Sequence, residues 1–256
     1  MIGAMDGSAE IVIVEDPATL AETAAAAIVD AAAQAMAARG RFTIALAGGA
    51  TPRATYQRLA AAPYRDRMPW ERAFVFFGDE RAVGPDHVDS NYGMAHAALL
   101  SAVPIPPAQV FRIEGEAGDT EVAAAEYART LASVFETRRS ELPRLDLVLL
   151  GLGVDGHTAS LFPGSPVLKE VFRTVAAVHA AAAAVPQRLT MTFPILNAAA
   201  RVMFLATGAE KAKVVKAALT ERATGLPAAM VRPVDGRLLW LLDRAAAKLL
   251  PVAKAR

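Results

Sequence analysis

The chain has 256 residues, 27 basic and 26 acidic side chains, a formal net charge of +1, and no cysteine. Near neutrality removes any bulk electrostatic reason to expect nucleic acid or an anionic membrane as a partner. The lack of cysteine excludes disulfides, thiolate metal sites and a cysteine nucleophile, and suits a reducing cytoplasm. The opening MIGAMDGSAE lacks a basic segment followed by an apolar core, and no run of about 18 apolar residues reads as a membrane span.

In chain order, strand-length apolar runs alternate with helical patterns. A strand over Ile11–Val14 precedes a helix over Pro17–Ala38, which Glu22, Asp30 and Gln34 mark as a soluble helix. A strand over Phe42–Ala47 precedes a helix over Pro52–Ala61, and a strand over Ala73–Phe77 precedes a helix over Tyr92–Leu100. A long helix over Thr120–Arg139 leads into a strand over Leu145–Leu150. Strands over Thr174–Val178 and Leu189–Phe193 follow, and the irregular segment Pro163–Ala184 points to antiparallel neighbours there. The pattern closes with a strand over Val202–Ala206, a helix over Ala209–Thr220, a strand over Leu238–Leu242 and a helix over Arg244–Leu250. Apolar runs without alternation imply burial on both faces, and strands alternating with helices imply βαβ units. The expected fold is α/β: a doubly wound, mostly parallel, Rossmann-like sheet flanked by helices. No repeat or linker divides the chain, so one domain over residues 1–256 is expected.

Ligands of such folds gather outside the carboxyl ends of the strands, at the point where strand order reverses. Four strand ends stand out. After Phe42–Ala47 comes Gly48-Gly49-Ala50-Thr51-Pro52, a glycine turn with Thr51 as helix cap and Pro52 at the first helical position. Such a turn presents free amides to an anion, although an ordinary capped turn has the same letters. After Ala73–Phe77 comes Gly78-Asp79-Glu80-Arg81, either site charges or a solvated ion pair.

After Leu145–Leu150 comes Gly151-Leu152-Gly153-Val154-Asp155-Gly156, which matches G-x-G-x-x-G. A dinucleotide fingerprint needs a long following helix and an acidic residue ending the next strand. Here a helix starting near Thr158 would meet Pro163-Gly164, and the next strand ends without a carboxylate. The glycines instead expose Asp155 and His157, a carboxylate and an imidazole suited to proton transfer, or else a His in local hydrogen bonds. After Val202–Ala206, Lys211 falls in the first turn of a helix, where its charge opposes the dipole unless an anion binds. Arg188, opening another strand, is a further candidate cation. His87, His96 and His179 have no comparable setting, and their spacing makes no metal site.

AGGATP at 47–52, FFGDER at 76–81, SNYGMA at 90–95, LGLGVDGHTASLFPG at 150–164, RLTMTFPILNAA at 188–199 and TGAEKA at 207–212 share an order and spacing. By these motifs the chain resembles the 6-phosphogluconolactonase family over about residues 40–215. The resemblance implies a fold like that of glucosamine-6-phosphate deaminase. It also implies hydrolysis of 6-phospho-D-glucono-1,5-lactone to 6-phosphogluconate in the oxidative pentose phosphate pathway, with no cofactor and no catalytic metal. It makes His157 the general base and Asp155 its orienting partner. Gly48, Gly49, Thr51, Arg188 and Lys211 would hold the phosphate of a small phosphorylated sugar lactone. Arg81, with Asp79 nearby, would contact the substrate or the developing oxyanion. A monomer is expected rather than an obligate oligomer.

The rival within this resemblance is the deaminase, in which a Glu follows the His by five residues. Phe162 stands at that position here, and Arg81 follows the Asp-Glu pair where the deaminases have no arginine. A sugar-phosphate-binding regulator on the same fold would carry a separate DNA-binding segment, for which the ten residues before the first expected strand leave no room.

Overall fold

The computed structural model describes residues 2–5, 9–138, 141–181, 183–221 and 225–251. Its strands are β1 (Ile2–Met5), β2 (Ala9–Val14), β3 (Phe42–Leu46), β4 (Ala73–Phe77), β5 (Asp79–Arg81), β6 (Leu147–Leu150), β7 (Val175–His179), β8 (Gln187–Met191), β9 (Arg201–Ala206) and β10 (Arg237–Asp243). The α-helices are α1 (Pro17–Arg39), α2 (Ala50–Leu59), α3 (Tyr64–Arg67), α4 (Asn91–Ala98), α5 (Thr120–Val134), α6 (Phe193–Ala198), α7 (Ala212–Thr220), α8 (Pro227–Met230) and α9 (Arg244–Ala247), with short 3-10 turns between them.

Seven strands form one sheet in the order β1-β2-β10-β9-β6-β3-β4. All neighbours pair in parallel except β1, which runs antiparallel to β2 at the edge. The central strands β3 and β6 are buried along their whole length, as their unbroken apolar sequences require. Helices flank the sheet; α1 packs on α2, β3 and β10. Asp16 starts α1 by accepting from Thr19 N at 2.7 Å, and Gly40 ends it in the left-handed region with its amide on Met36 O.

The direction of winding reverses between β3 and β6. From β3 the chain moves outward to β4, whereas from β6 it moves the other way to β9 and β10. The carboxyl ends of β3 and β6 therefore diverge, and a crevice opens between them. A second, antiparallel sheet, β5-β8-β7, stands beside it.

Several elements differ from the sequence expectation. The segment Asp79–Arg81 is itself a strand that leaves the main sheet after Gly78. The strand expected over Leu189–Phe193 ends at Met191, because Phe193 and Pro194 open α6. The helix expected over Thr120–Arg139 ends at Val134, and Glu136 follows with a positive φ; Arg139 lies outside the described residues. No helix starts near Thr158; Thr158 and Leu161 instead bridge a tight turn. Strand β1 precedes the first strand expected from the sequence.

Candidate active site

A crevice of about 380 Å³ lies at the switch point. Gly48, Gly49, Thr51, Asp79, Arg81, His157, Arg188 and Lys211 all line it, and Asp155 stands behind His157.

The end of β3 supplies the amide-rich wall. Gly49, with φ 104°, is the N-cap of α2 and contributes no side-chain bond. An L side chain resists that φ, so glycine suits the turn. The first bond of the helix runs from Arg53 N to Gly49 O, leaving the Ala50 and Thr51 amides pointing out of its N-terminus. Thr51 is thus not the cap that its sequence position suggested. The chain has already become helical at Ala50, and the Thr51 hydroxyl turns instead to Thr207 Oγ1, 2.8 Å away. Free amides and the positive end of the helix dipole favour an anion here.

Across the crevice, β9 runs into Thr207-Gly208 and a 3-10 turn over Ala209–Lys211. Asp243 anchors this turn by accepting from Gly208 N with both carboxylate oxygens at 3.1 Å. Lys211 lies at the N-cap position of α7, one step earlier than a first-turn residue. Among the described residues it has no ion-pair partner.

The end of β6 is built differently. Gly153 N donates to His157 O at 2.8 Å, Gly156 N to Gly153 O at 3.1 Å, and His157 N to Asp155 Oδ1 at 3.1 Å. These amides are consumed within the loop, and the loop displays side chains. His157 Nδ1 lies 2.6 Å from Asp155 Oδ1. The contact fixes the tautomer with Nδ1–H donating to the carboxylate and leaves Nε2 with its lone pair. Gly153 leaves room for this pair: a Cβ there would lie 2.1 Å from His157 Nδ1 and 2.5 Å from Asp155 Oδ1, so the ring or the carboxylate would have to shift. Partial burial works to raise the Asp155 carboxyl, but the His157 amide, charge and ring together hold it below its usual range. Asp155 is therefore ionised at neutral pH.

The second sheet brings two arginines together. Arg81 on β5 and Arg188 on β8 are register partners in an antiparallel pair. Like charges placed directly opposite repel, and a bound anion relieves that repulsion. Burial, and then the neighbouring Arg81, hold the Arg188 guanidinium below its ordinary value. Arg81 is held through Nη1 by Asp89 O, and its buried Nε has no partner among the described residues.

Beneath Arg81, Asp79 is buried and clamped from two sides. Its Oδ2 accepts from Ser160 Oγ at 2.7 Å and its Oδ1 from Asn91 Nδ2 at 3.1 Å. Glu80 points away from the crevice and accepts from the Asn91 and Tyr92 amides at 2.7 and 2.8 Å and from Ser90 Oγ at 3.1 Å. It anchors the start of α4 to β5, while burial pushes its carboxyl up against the pull of three backbone amides.

Sequence reasoning missed Asn91, Ser160, Thr207 and Glu210. Asn91, Thr207 and Glu210 line the crevice, and the Asn91 Oδ1 packs against Gly48 without a hydrogen-bond partner. The only signal for them was their position inside the SNYGMA, LGLGVDGHTASLFPG and TGAEKA motifs.

Residues 15–240 match the family described as glucosamine-6-phosphate isomerases/6-phosphogluconolactonase. The chain is similar to the 6-phosphogluconolactonase of Rattus norvegicus, 45% identical over 215 residues that cover 84% of this chain and 82% of the relative. It is also similar to that of Homo sapiens, 43% identical over 217 residues, with 84% and 83% covered. Among solved structures, the 6-phosphogluconolactonase from Trypanosoma brucei superposes with a TM-score of 0.84 at 33% identity, covering 94% of this chain and 98% of that one. A monomeric glucosamine-6-phosphate deaminase shares the fold, with a TM-score of 0.79 at 23% identity over 93% of this chain and 99% of that one.

Proposed function

The chain belongs to the glucosamine-6-phosphate isomerase/6-phosphogluconolactonase family, and from that premise we propose that it hydrolyses 6-phospho-D-glucono-1,5-lactone to 6-phosphogluconate in the oxidative pentose phosphate pathway. The observation that carries the reading is the 2.6 Å His157–Asp155 contact in the same crevice as the α2 amides and the cations Arg81, Arg188 and Lys211.

His157 Nε2 takes a proton from water as its oxygen attacks the lactone carbonyl carbon. Asp155 stabilises the imidazolium that forms. The carbonyl oxygen becomes an oxyanion, which Arg81 stabilises, with Asp79 holding that end of the sugar. When the intermediate collapses, the bond from the carbonyl carbon to the ring oxygen breaks. The imidazolium returns its proton to the departing ring oxygen, giving the open-chain acid. Lys211, Arg188, Thr51 and the turn at Gly48 and Gly49 hold the phosphate, using charge and free amides. Every residue named is on one chain, so a monomer suffices. A cytoplasmic enzyme with residues 1–256 as one domain completes the proposal.

The test is acid release from the phosphorylated lactone, corrected for spontaneous hydrolysis, alongside ammonia release from glucosamine-6-phosphate. Acid release without ammonia is the expected result. Ammonia from the wild-type chain, or lactone hydrolysis no faster than the blank, overturns the reading.

A further inference from the structure

His157 is fixed by Asp155 at one nitrogen, yet its side chain sits on a loop and remains 34% exposed. One hydrogen bond leaves an imidazole free to tilt about it. Arg188 has a similar deficit. Its Nε donates to Val185 O at 3.0 Å, and among the described residues no carboxylate forms an ion pair with it. Two reacting or binding groups are each short of one support.

Phe162 meets both. The turn from Thr158 to Leu161 is closed by a bridge between those residues, with Leu161 N donating to Thr158 O at 2.9 Å. The residues flanking an antiparallel bridge are cross-strand neighbours, so the turn sets Phe162 beside His157. Their ring centroids lie 4.7 Å apart with planes inclined by 38°. The Arg188 guanidinium carbon lies 5.7 Å from the same ring's centroid, within cation–π range. Phe162 itself packs against the core, and it offers neither group a hydrogen bond.

We propose that Phe162 is a positioning residue for the lactonase reaction, whose ring holds the His157 imidazole and the Arg188 guanidinium in place together. An apolar ring suits the task. It restrains the imidazole without occupying Nε2, and it seats the guanidinium where its N–H groups do not donate to that nitrogen. A carboxylate or carboxamide in place of the ring would compete for one group or the other.

The inference rests on the lactonase reading for its kinetic arm but not for its spectroscopic one. In the wild-type protein the His157 ring-proton signals, identified by their loss in His157→Ala, carry a ring-current displacement from Phe162. In Phe162→Leu, which keeps most of the bulk, those signals move toward the positions of unperturbed histidines, whereas signals that stay put overturn the proposal. In the lactone assay Phe162→Ala lowers kcat by about tenfold to a hundredfold, the cost of a slightly misplaced base. It raises KM by about two- to fivefold, the worth of an exposed cation–π contact. Phe162→Tyr restores both to within about twofold, because the ring returns. Should Phe162→Ala fail to fold, Phe162→Leu stands in for it, with a smaller loss in kcat that Phe162→Tyr again repairs. A folded alanine or leucine variant with wild-type kcat and KM overturns the proposal. A wild-type chain without lactonase activity instead overturns the proposed function, and the imidazole signals then decide the role of Phe162.

Discussion

Two glycine-rich loops leave neighbouring parallel strands at the switch point, and they do opposite things. After β3, the chain enters a helix within two residues of Gly48, and the amides of Ala50 and Thr51 stay free. After β6, the amides of Gly153, Gly156 and His157 are all spent inside the loop, and no helix follows. The first loop therefore offers backbone donors to an anion, and the second offers an imidazole and a carboxylate. It is the second that matches G-x-G-x-x-G. The destination of the backbone N–H groups, and not the spacing of the glycines, separates a phosphate cradle from a catalytic loop.

The division of labour predicts different kinetic signatures for the two walls. The largest effect belongs to the β6 loop: His157→Ala folds normally, as circular dichroism and Tm should show, and loses about 10²–10⁴-fold in kcat. Near wild-type turnover would remove His157 as the base. On the opposite wall, Lys211→Ala raises KM by roughly 10- to 150-fold with a smaller fall in kcat, the worth of a charge-assisted contact. The comparison that decides is kcat/KM for phosphorylated and unphosphorylated lactone. Equal losses on both substrates would show that Lys211 holds no phosphate.

Gly153→Ala tests the β6 loop without replacing a functional side chain. Its Cβ would overlap His157 Nδ1, so the base shifts and kcat falls by about tenfold to a hundredfold while KM changes little. A larger change in KM than in kcat would break the contrast between the loops. The smallest effect concerns pH. Against partial burial, the His157 amide, charge and ring hold the Asp155 carboxyl below its usual range, so Asp155 adds stability at neutral pH that is lost as the pH falls through the carboxylate range, and Asp155→Asn flattens the fall of Tm with acid there. A Tm that falls with acid as steeply in Asp155→Asn as in the wild type would detach Asp155 from His157.

Much of the main sheet was legible because its strands carry unbroken apolar runs and its helices carry local caps such as Asp16 and Gly40. Most of the crevice residues with charge or obvious chemistry were legible too, since Asp79 and Arg81 come just after β4, His157 comes in the loop after β6 and Lys211 comes soon after β9, although Glu210 was passed over. What escaped depends on partners distant in sequence. Ser160 looks like loop filler until Asp79 arrives to accept its hydrogen bond. Thr51 reads as a cap from local letters, and only Thr207 reveals another use for its hydroxyl. Strand β5 is three polar or charged residues long and has no pattern of its own; it exists because β8 pairs with it. Glu80 is equally opaque, as the Asn91 and Tyr92 backbone amides that donate to it come from α4.

The pairing of β2 with β10 carries a cost that belongs to synthesis rather than to catalysis. Glu10 to Val14 lie in register with Leu239 to Asp243, so nearly the whole chain must be made before β2 finds its parallel neighbour. Until then β9, with its buried RVMFLA sequence, has an open edge where β10 will sit. Unpaired apolar edges template the pairing of one nascent chain with another, and long-range parallel contacts form slowly. A ribosome-bound chain halted before residue 237 thus displays both halves of an unfinished seam. Chaperones that shield exposed strands from one another would act on this protein during that interval.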